Sequence, residues 1–208
     1  MDRIYRHQRY IYDLTRRYYL FGRDTLLRQM HLRDGDRVLE VGCGTARNLL
    51  KLAALKPCHL YGLDASAEML VTARANVTSA KLACRIALAR CYAEDLTPAN
   101  PFGLPCPFDA IFFSYSLSMI PTWPAALDAA MASVRPGGAI YIVDFYDQLG
   151  MPKWFRSLLR RWLALFHVEH RPELLTRLRE IAADGRGTLH VQSLAGRYAY
   201  IARLTLPR

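Results

Sequence analysis

The sequence has no long hydrophobic run. No window approaches the ~20 consecutive apolar residues that a membrane-spanning helix needs, so none is expected. The opening "MDRIYRHQRY" lacks an apolar core and a small-residue cleavage site, and no signal peptide is expected. Cysteine is sparse and badly placed for bridging. The five, at 43, 58, 84, 91 and 106, are odd in number and show no CxxC spacing, which argues against a disulfide framework and a zinc site. Reduced thiols in or near a core, in a cytoplasmic protein, fit them better. Internal repeats and low-complexity segments are lacking too. Acid is short: 18 Asp and Glu stand against 28 Lys and Arg, giving a net charge of +10. Such an excess favours an anionic partner, nucleic acid or an anionic membrane surface, without choosing between them. The basic residues concentrate in 1–28, among tyrosines, and in 153–161, among tryptophans and leucines.

What is present is a regular alternation over 208 residues, enough for one domain with a full core. Short β-branched runs at 37–41, 59–63, 85–89, 109–113 and 139–143 follow turn residues. Helical stretches at 46–55, 66–77 and 123–134 separate several of them, the second capped by Ser66. Residues 95–107 hold Pro98, Pro101, Pro105 and Pro107, which predicts a loop rather than a crossover helix. The first thirty residues are predicted helical, since Ile4, Ile11, Leu14, Tyr18 and Phe21 recur at near-helical intervals. An amphipathic helix (151–166), a second helix (172–184) and strands at 188–194 and 198–205 joined by "LAGR" complete the chain. The expected fold is α/β: a mostly parallel sheet flanked by helices and closed by a C-terminal antiparallel hairpin. A single domain is expected over 1–208, with 1–30 as a helical lid and 151–184 as a helical insertion.

The stretch "VLEVGCGTARNLL" (38–50) carries the chemistry. A strand ends, the backbone turns at Gly42 and Gly44, and a helix follows. Glycine lets a ligand approach the main chain, and a helix start favours negative charge. Asp64 ends the next strand about 20 residues on, where an acid in such folds can bond ribose hydroxyls.

With "YGLD" and "VRPGGAIYIVDF", this stretch resembles class I S-adenosylmethionine-dependent methyltransferases, over about 36–145 by motif. The resemblance implies a Rossmann-like sheet of seven strands in the order 3-2-1-4-5-7-6. It implies S-adenosylmethionine across the carboxyl ends of the first strands, with the Gly42–Gly44 loop passing the methionine moiety and Asp64 on the ribose. The cofactor contacts it implies are Glu40, Gly42, Cys43, Gly44, Asp64, Ala65, Ala93, Glu94, Ser114 and Arg23. A dehydrogenase is disfavoured because Arg47 stands where the dinucleotide spacing needs glycine or alanine. Ala46 occupies the third position of the family's GxGxG. Alanine suits a first helical turn better than glycine, so this departure is expected to be neutral. Cys91-Tyr92-Ala93 stands where many relatives carry "GDA", so Tyr92 is expected to border adenine, with the Ala93 N–H and Glu94 or Asp95 as polar contacts.

The flanks are more specific. "MDRIYRHQRYIYDLTRRYYLFGRD", "SYSLSMIPTW" and "VDFYDQLGMPKWFR" resemble the bacterial betaine-lipid methyltransferases, which convert diacylglyceryl-homoserine to diacylglyceryl-trimethylhomoserine. This implies a diacylglyceryl-homoserine acceptor, an anionic membrane surface at the inner face of the cell membrane, and no nucleic acid. A quaternary ammonium product suits aromatic faces. Tyr115 and Tyr19 are the first choices to touch it, although half-buried packing is the commoner role for any one tyrosine; Tyr18 and Tyr146 are further candidates. Asp144, at the end of the fifth strand, is the candidate to orient the amine or else a hydrogen-bonded strand-end acid. Arg23 and Arg16 suit a carboxylate, from the cofactor or from homoserine. His167 and His170 in "FHVEH" lack a third ligand, so no metal site is expected.

Residues 151–166 place Met151, Trp154, Phe155, Leu158, Leu159, Trp162, Leu163 and Phe166 on one face, with Lys153, Arg156, Arg160 and Arg161 around it. That pattern serves equally an in-plane interfacial helix or one packed on the sheet. Phosphatidylethanolamine N-methylation is the alternative within the enzyme class. A nucleic-acid methyltransferase lacks support, since "SYSLSMIP" replaces an amino-methylating motif after the fourth strand. A non-catalytic relic of the fold is opposed by Glu40, Gly42, Gly44 and Asp64.

Overall fold

The computed structural model describes residues 20–98, 101–152 and 171–208. The seven strands among the described residues join one sheet: β1 (Arg37–Val41), β2 (His59–Asp64), β3 (Ile86–Arg90), β4 (Phe108–Ser114), β5 (Val134–Phe145), β6 (Thr188–Leu194) and β7 (Ala199–Thr205). Their order is β3-β2-β1-β4-β5-β7-β6, the order expected. β1 to β5 run parallel, while β7 pairs antiparallel with β5 and with β6.

The central strands alternate between two apolar layers, as a period of two dictates. Val38, Ala110, Phe112 and Val143 pack with α1 (Arg23–Gln29), α2 (Arg47–Leu55) and α3 (Ala67–Ser79). Leu39, Ile111, Phe113 and Ile142 pack with α4 (Trp123–Ser133) and α5 (Pro172–Ala183). Both faces are therefore covered, which is why these strands read as near-continuous apolar runs. Ser66 caps α3, its side chain accepting from the Met69 N–H at 3.3 Å. A single 3₁₀ turn, Ala93–Asp95, leads into the proline-rich segment, which holds no crossover helix among its described residues.

Gly62 sits where β2 is tightest. A Cβ there would lie 2.7 Å from Leu49 Cδ1, 2.8 Å from Leu88 Cδ2 and 2.9 Å from Cys43 Sγ. Gly62→Ala is expected to cost about 1–3 kcal/mol by overpacking, read as a lower denaturant midpoint with unchanged slope. An unchanged midpoint would mean that these three side chains give way freely.

Three expectations need correcting. Residues 1–19 of the predicted N-terminal helix lie outside the described residues; from Leu20 on, Gly22 stands at φ +86° and the chain is helical only over Arg23–Gln29. Gly22 passes so close to the sheet that a Cβ would meet Leu194 Cδ1 at 2.4 Å. The fifth strand begins at Val134, not 139, with an irregular register opposite Phe108 and Ala110. There Gly138 lets the chain slide against β4, since a Cβ would lie 2.7 Å from the Asp109 carbonyl oxygen. Ala46 lies outside the first turn of α2, in the left-handed region at φ +63°. Glycine would be easier there than alanine, and the Ala46 methyl group is fully buried. The predicted helix over 151–166, with Tyr18, Tyr19, Arg16, His167 and His170, lies almost wholly outside the described residues.

Candidate functional site

The parallel strands bring their carboxyl ends to one edge. After β1, the Gly42 and Cys43 N–H groups both donate to the Leu63 carbonyl, at 2.9 and 3.0 Å. Asp64 then clamps the turn. Its Oδ2 accepts from the Gly44 N–H at 2.8 Å and its Oδ1 from the Ser66 N–H at 2.9 Å. Gly42 and Gly44 both have positive φ, +76° and +53°. A Cβ on Gly42 would strike Ser116 Cβ at 2.7 Å, whereas one on Gly44 would meet nothing within 4 Å. One glycine is thus required by packing; the other faces open space.

Glu40 is the anomaly of β1: an acid one residue from the carboxyl end of a buried strand, 1% exposed. Its Oε1 accepts from Asn48 Nδ2 at 2.7 Å, while Oε2 has no partner among the described residues. Burial pushes its carboxyl up to about 8, against the Asn48 bond and the nearby Arg23 and Arg47 charges that pull it down. Arg23 thus stands close to Glu40 at the start of α1, with its Nε donating to the Leu20 carbonyl at 3.3 Å. Asp24 fixes that helix to α2 through Arg47 at 3.1 Å and Lys51 at 2.5 Å.

On the other side of the loop, Ser116 Oγ donates to the Val41 carbonyl at 2.8 Å. Ser114 Oγ is buried without a partner among the described residues. Tyr115, at φ +56° and 2% exposed, packs edge-on against Phe145 at 4.7 Å and donates to the Phe21 carbonyl at 2.5 Å. It therefore ties the N-terminal segment to the sheet. Asp144 is also buried: Oδ2 accepts from the Ser118 N–H at 3.0 Å and Oδ1 from the Phe145 N–H at 2.8 Å. Burial raises its carboxyl to about 6. Towards β3, the Cys91 N–H donates to the Asp64 carbonyl, Arg90 Nε to the Ala65 carbonyl, and Tyr92 is 58% exposed beside buried Ala93.

The edge thus gathers Glu40, Gly42, Cys43, Gly44, Asp64, Ala65 and Arg23, with Ala93 and Glu94 one short segment away, and Ser114 on the flank. Tyr19 lies outside the described residues. Sequence reading missed Asn48 and Ser116. Asn48 left a signal, a polar residue in the first turn of an otherwise apolar helix face. A cavity of about 330 Å³ at Val134, Pro136 and Leu206 opens at the start of β5, the opposite edge, away from all these groups. A second, of about 220 Å³, adjoins Phe145 and Tyr200 at the carboxyl edge.

Comparison with known proteins bears on this edge directly. Residues 38–138 match the methyltransferase domain family. A demethylmenaquinone methyltransferase of Listeria monocytogenes is 29% identical over 152 residues, 69% of this chain and 60% of the relative. An O-methyltransferase of Aspergillus nomiae is 28% identical over 138 residues, 66% of this chain and 58% of the relative. The chain spans about 60% of the length of the curated relatives it matches. Among solved structures, phosphoethanolamine N-methyltransferase 2 of Haemonchus contortus with S-adenosyl-L-methionine superposes with a TM-score of 0.72. It is 15% identical, over 90% of this chain and 52% of that one, which is a likeness of fold.

Proposed function

We propose, from the premise that this chain carries a class I S-adenosylmethionine-dependent methyltransferase domain, that it methylates the amine of diacylglyceryl-homoserine at a membrane surface, up to three times. The observation that carries the cofactor half is the unpartnered, buried Glu40 Oε2 beside a glycine loop with open space at Gly44. A buried acid with one unpaired oxygen, held protonated by its dry site, can give up its proton to pair with a cation, and the ammonium of the methionine moiety is one. Asp64, Gly44 and Glu40 would hold the cofactor. Ala65, Ala93, Glu94 and Ser114 complete the proposed contacts, with Arg23 on the carboxylate. When bound, S-adenosylmethionine supplies an electrophilic methyl group on a sulfonium.

The rest of the work falls to the chain's own residues: orienting the acceptor and excluding water. An α-amino group with pKa about 7.7–8.0 is already partly neutral near pH 7, and the positive field of Arg23 and Arg171 lowers it further. No strong base is then required, and Asp144 and Tyr115 serve to shape the acceptor side rather than to abstract a proton. Support for the lipid comes from the flanking segments that resemble betaine-lipid methyltransferases and from the basic, aromatic-rich stretches 1–28 and 153–161. Each basic residue near an anionic leaflet contributes about 1 kcal/mol. Among the described residues no helix is long and apolar enough to cross a membrane, so attachment from one side is the mode proposed. A second reading, methylation of demethylmenaquinone, is favoured by the Listeria relative.

The test is mass spectrometry of mixed vesicles holding diacylglyceryl-homoserine, phosphatidylethanolamine and demethylmenaquinone, after incubation with the protein and S-adenosylmethionine. Stepwise gain of one to three methyl groups on the homoserine lipid alone is expected. Methylation only of the quinone or the ethanolamine lipid would overturn the acceptor and keep the enzyme class.

A further inference from the structure

The 220 Å³ cavity at the carboxyl end of β5 is lined by Tyr146, Asp147, Arg171, Arg179, Arg197 and Tyr200, among others. Three guanidinium groups face one carboxylate, and that carboxylate, Asp147, is already engaged by Arg197 through both Nε and Nη2. Arg197 also lies over the Tyr146 ring, 4.5 Å from its centroid, so its position is set from two sides. Arg179 has no acidic partner among the described residues. Among the described lining residues three arginines thus stand against one carboxylate, with buried Asp144 close behind Arg171 and Tyr200.

Tyr200 supplies the second observation. It is 1% exposed, stacked edge-on against Tyr146 at 5.8 Å, and its hydroxyl has no partner among the described residues. A buried phenol that donates to nothing is a cost to the folded state unless a ligand accepts from it. Arginine forks and a waiting O–H are both donors, so the chemistry they would accept is an anion with several oxygens.

The cavity is also joined to the cofactor edge. Arg171 Nε donates to the Ser118 carbonyl at 3.3 Å, and the Ser118 N–H to Asp144 at 3.0 Å. Two residues back, Ser116 holds the Val41 carbonyl, next to Gly42. The volume is below the ~300–1,000 Å³ of whole-ligand pockets, the right scale for one polar group rather than an acyl body.

We propose that this cavity is the subsite for an anionic group of the methyl acceptor, a carboxylate or a phosphate a few bonds from the amine. The assignment of that anion to an acceptor rests on the methyltransferase reading above; the anion site itself does not. It also separates acceptors, because a zwitterionic headgroup fills the cavity and a quinone ring leaves its donors unpaired.

The test is calorimetry on the full chain without cofactor, titrating L-homoserine in one arm and inorganic phosphate in another, with S-adenosylmethionine titrated separately. Tyr200→Phe keeps the buried ring and removes only the hydroxyl; Arg179→Gln removes one exposed charge. Saturable binding of one anion is expected, weakened about tenfold by either variant, with S-adenosylmethionine affinity unchanged. Binding of homoserine alone identifies a carboxylate site, binding of phosphate alone a phosphate site. Anion affinity unmoved by Tyr200→Phe, with a raised unfolding midpoint, would overturn the proposal and leave the hydroxyl as a packing defect. Absence of anion binding while S-adenosylmethionine binds would overturn it too. Anion binding without any S-adenosylmethionine binding would uphold the anion site and overturn the methyltransferase reading instead.

Discussion

Asp64→Ala abolishes saturable S-adenosylmethionine binding and lowers the unfolding midpoint by about 6–12 °C, the largest effect expected of any single substitution in the loop. The carboxylate is the one group that holds both turns at this edge, accepting from the Gly44 N–H after β1 and the Ser66 N–H after β2. Hydrogen bonds to a charged acceptor are worth about 1.5–3 kcal/mol each, and the site is half-buried, so about 3 kcal/mol is expected for the pair. A chain of this size converts each kcal/mol into about 2–4 °C. Binding suffers separately, because Gly44 at positive φ returns to other conformations once its amide is released. Asp64→Asn retains one acceptor and turns an N–H towards a donor, so it recovers part of the midpoint and little affinity. Scanning calorimetry and titration decide the matter. An Asp64→Ala protein with unchanged midpoint and affinity would show that the loop is shaped without this acid.

Glu40→Gln works in opposite directions on stability and on binding. The folded carboxyl, raised by burial to about 8, lies above its ordinary value of 4.5. Glu40 therefore contributes stability that is full below pH 4.5 and is lost as pH rises through 8. Glutamine does not titrate, can still accept from Asn48, and removes that loss. The variant should match the parent at pH 4.5 and exceed it at pH 9 by a few kcal/mol, on the order that a shift of this kind represents. Asp144, raised to about 6, has the same sign and is common to both proteins, so it cancels in the comparison. Cofactor affinity should fall about 100-fold, since the carboxylate proposed to face the ammonium is gone. Binding to the parent should also release a proton at pH 7, visible as a heat that depends on the buffer's ionisation enthalpy. Equal stability of parent and variant at pH 9, together with equal affinity, would mean that the Glu40 carboxyl ionises as readily in the folded chain as in the unfolded one and does not meet the cofactor.

Periodic features of this chain were legible in its sequence; close approaches were not. Alternating apolar runs specified five parallel strands and the hairpin, and the four prolines of 95–107 excluded a helix there. The Gly22 break was hidden because apolar spacing continues across it, and only the nearness of Leu194 shows why the chain must turn. Ala46 misled because propensity describes a residue inside a helix, while this one precedes it in the left-handed region. The start of β5 was obscured by Pro136, Gly137 and Gly138, residues that signal a turn locally and serve here as an irregular strand edge. Within the site, Glu40, the glycines and Asp64 were legible because one local segment and one strand end carry them. Arg171, Arg179 and Arg197 were not: they meet only through the fold, and each alone reads as a solvated arginine.

The two buried acids lie on opposite faces of the sheet. Glu40 faces Asn48 in the layer of α1 to α3, and Asp144 sits opposite Tyr200 in the layer of α4 and α5. The sheet thus keeps the two acids in separate apolar layers. Groups that share neither a partner nor a face are free to vary independently. Substitutions at Glu40 and at Asp144 are therefore expected to add in their effect on stability, so that a double variant unfolds at the denaturant midpoint that the two single variants together dictate.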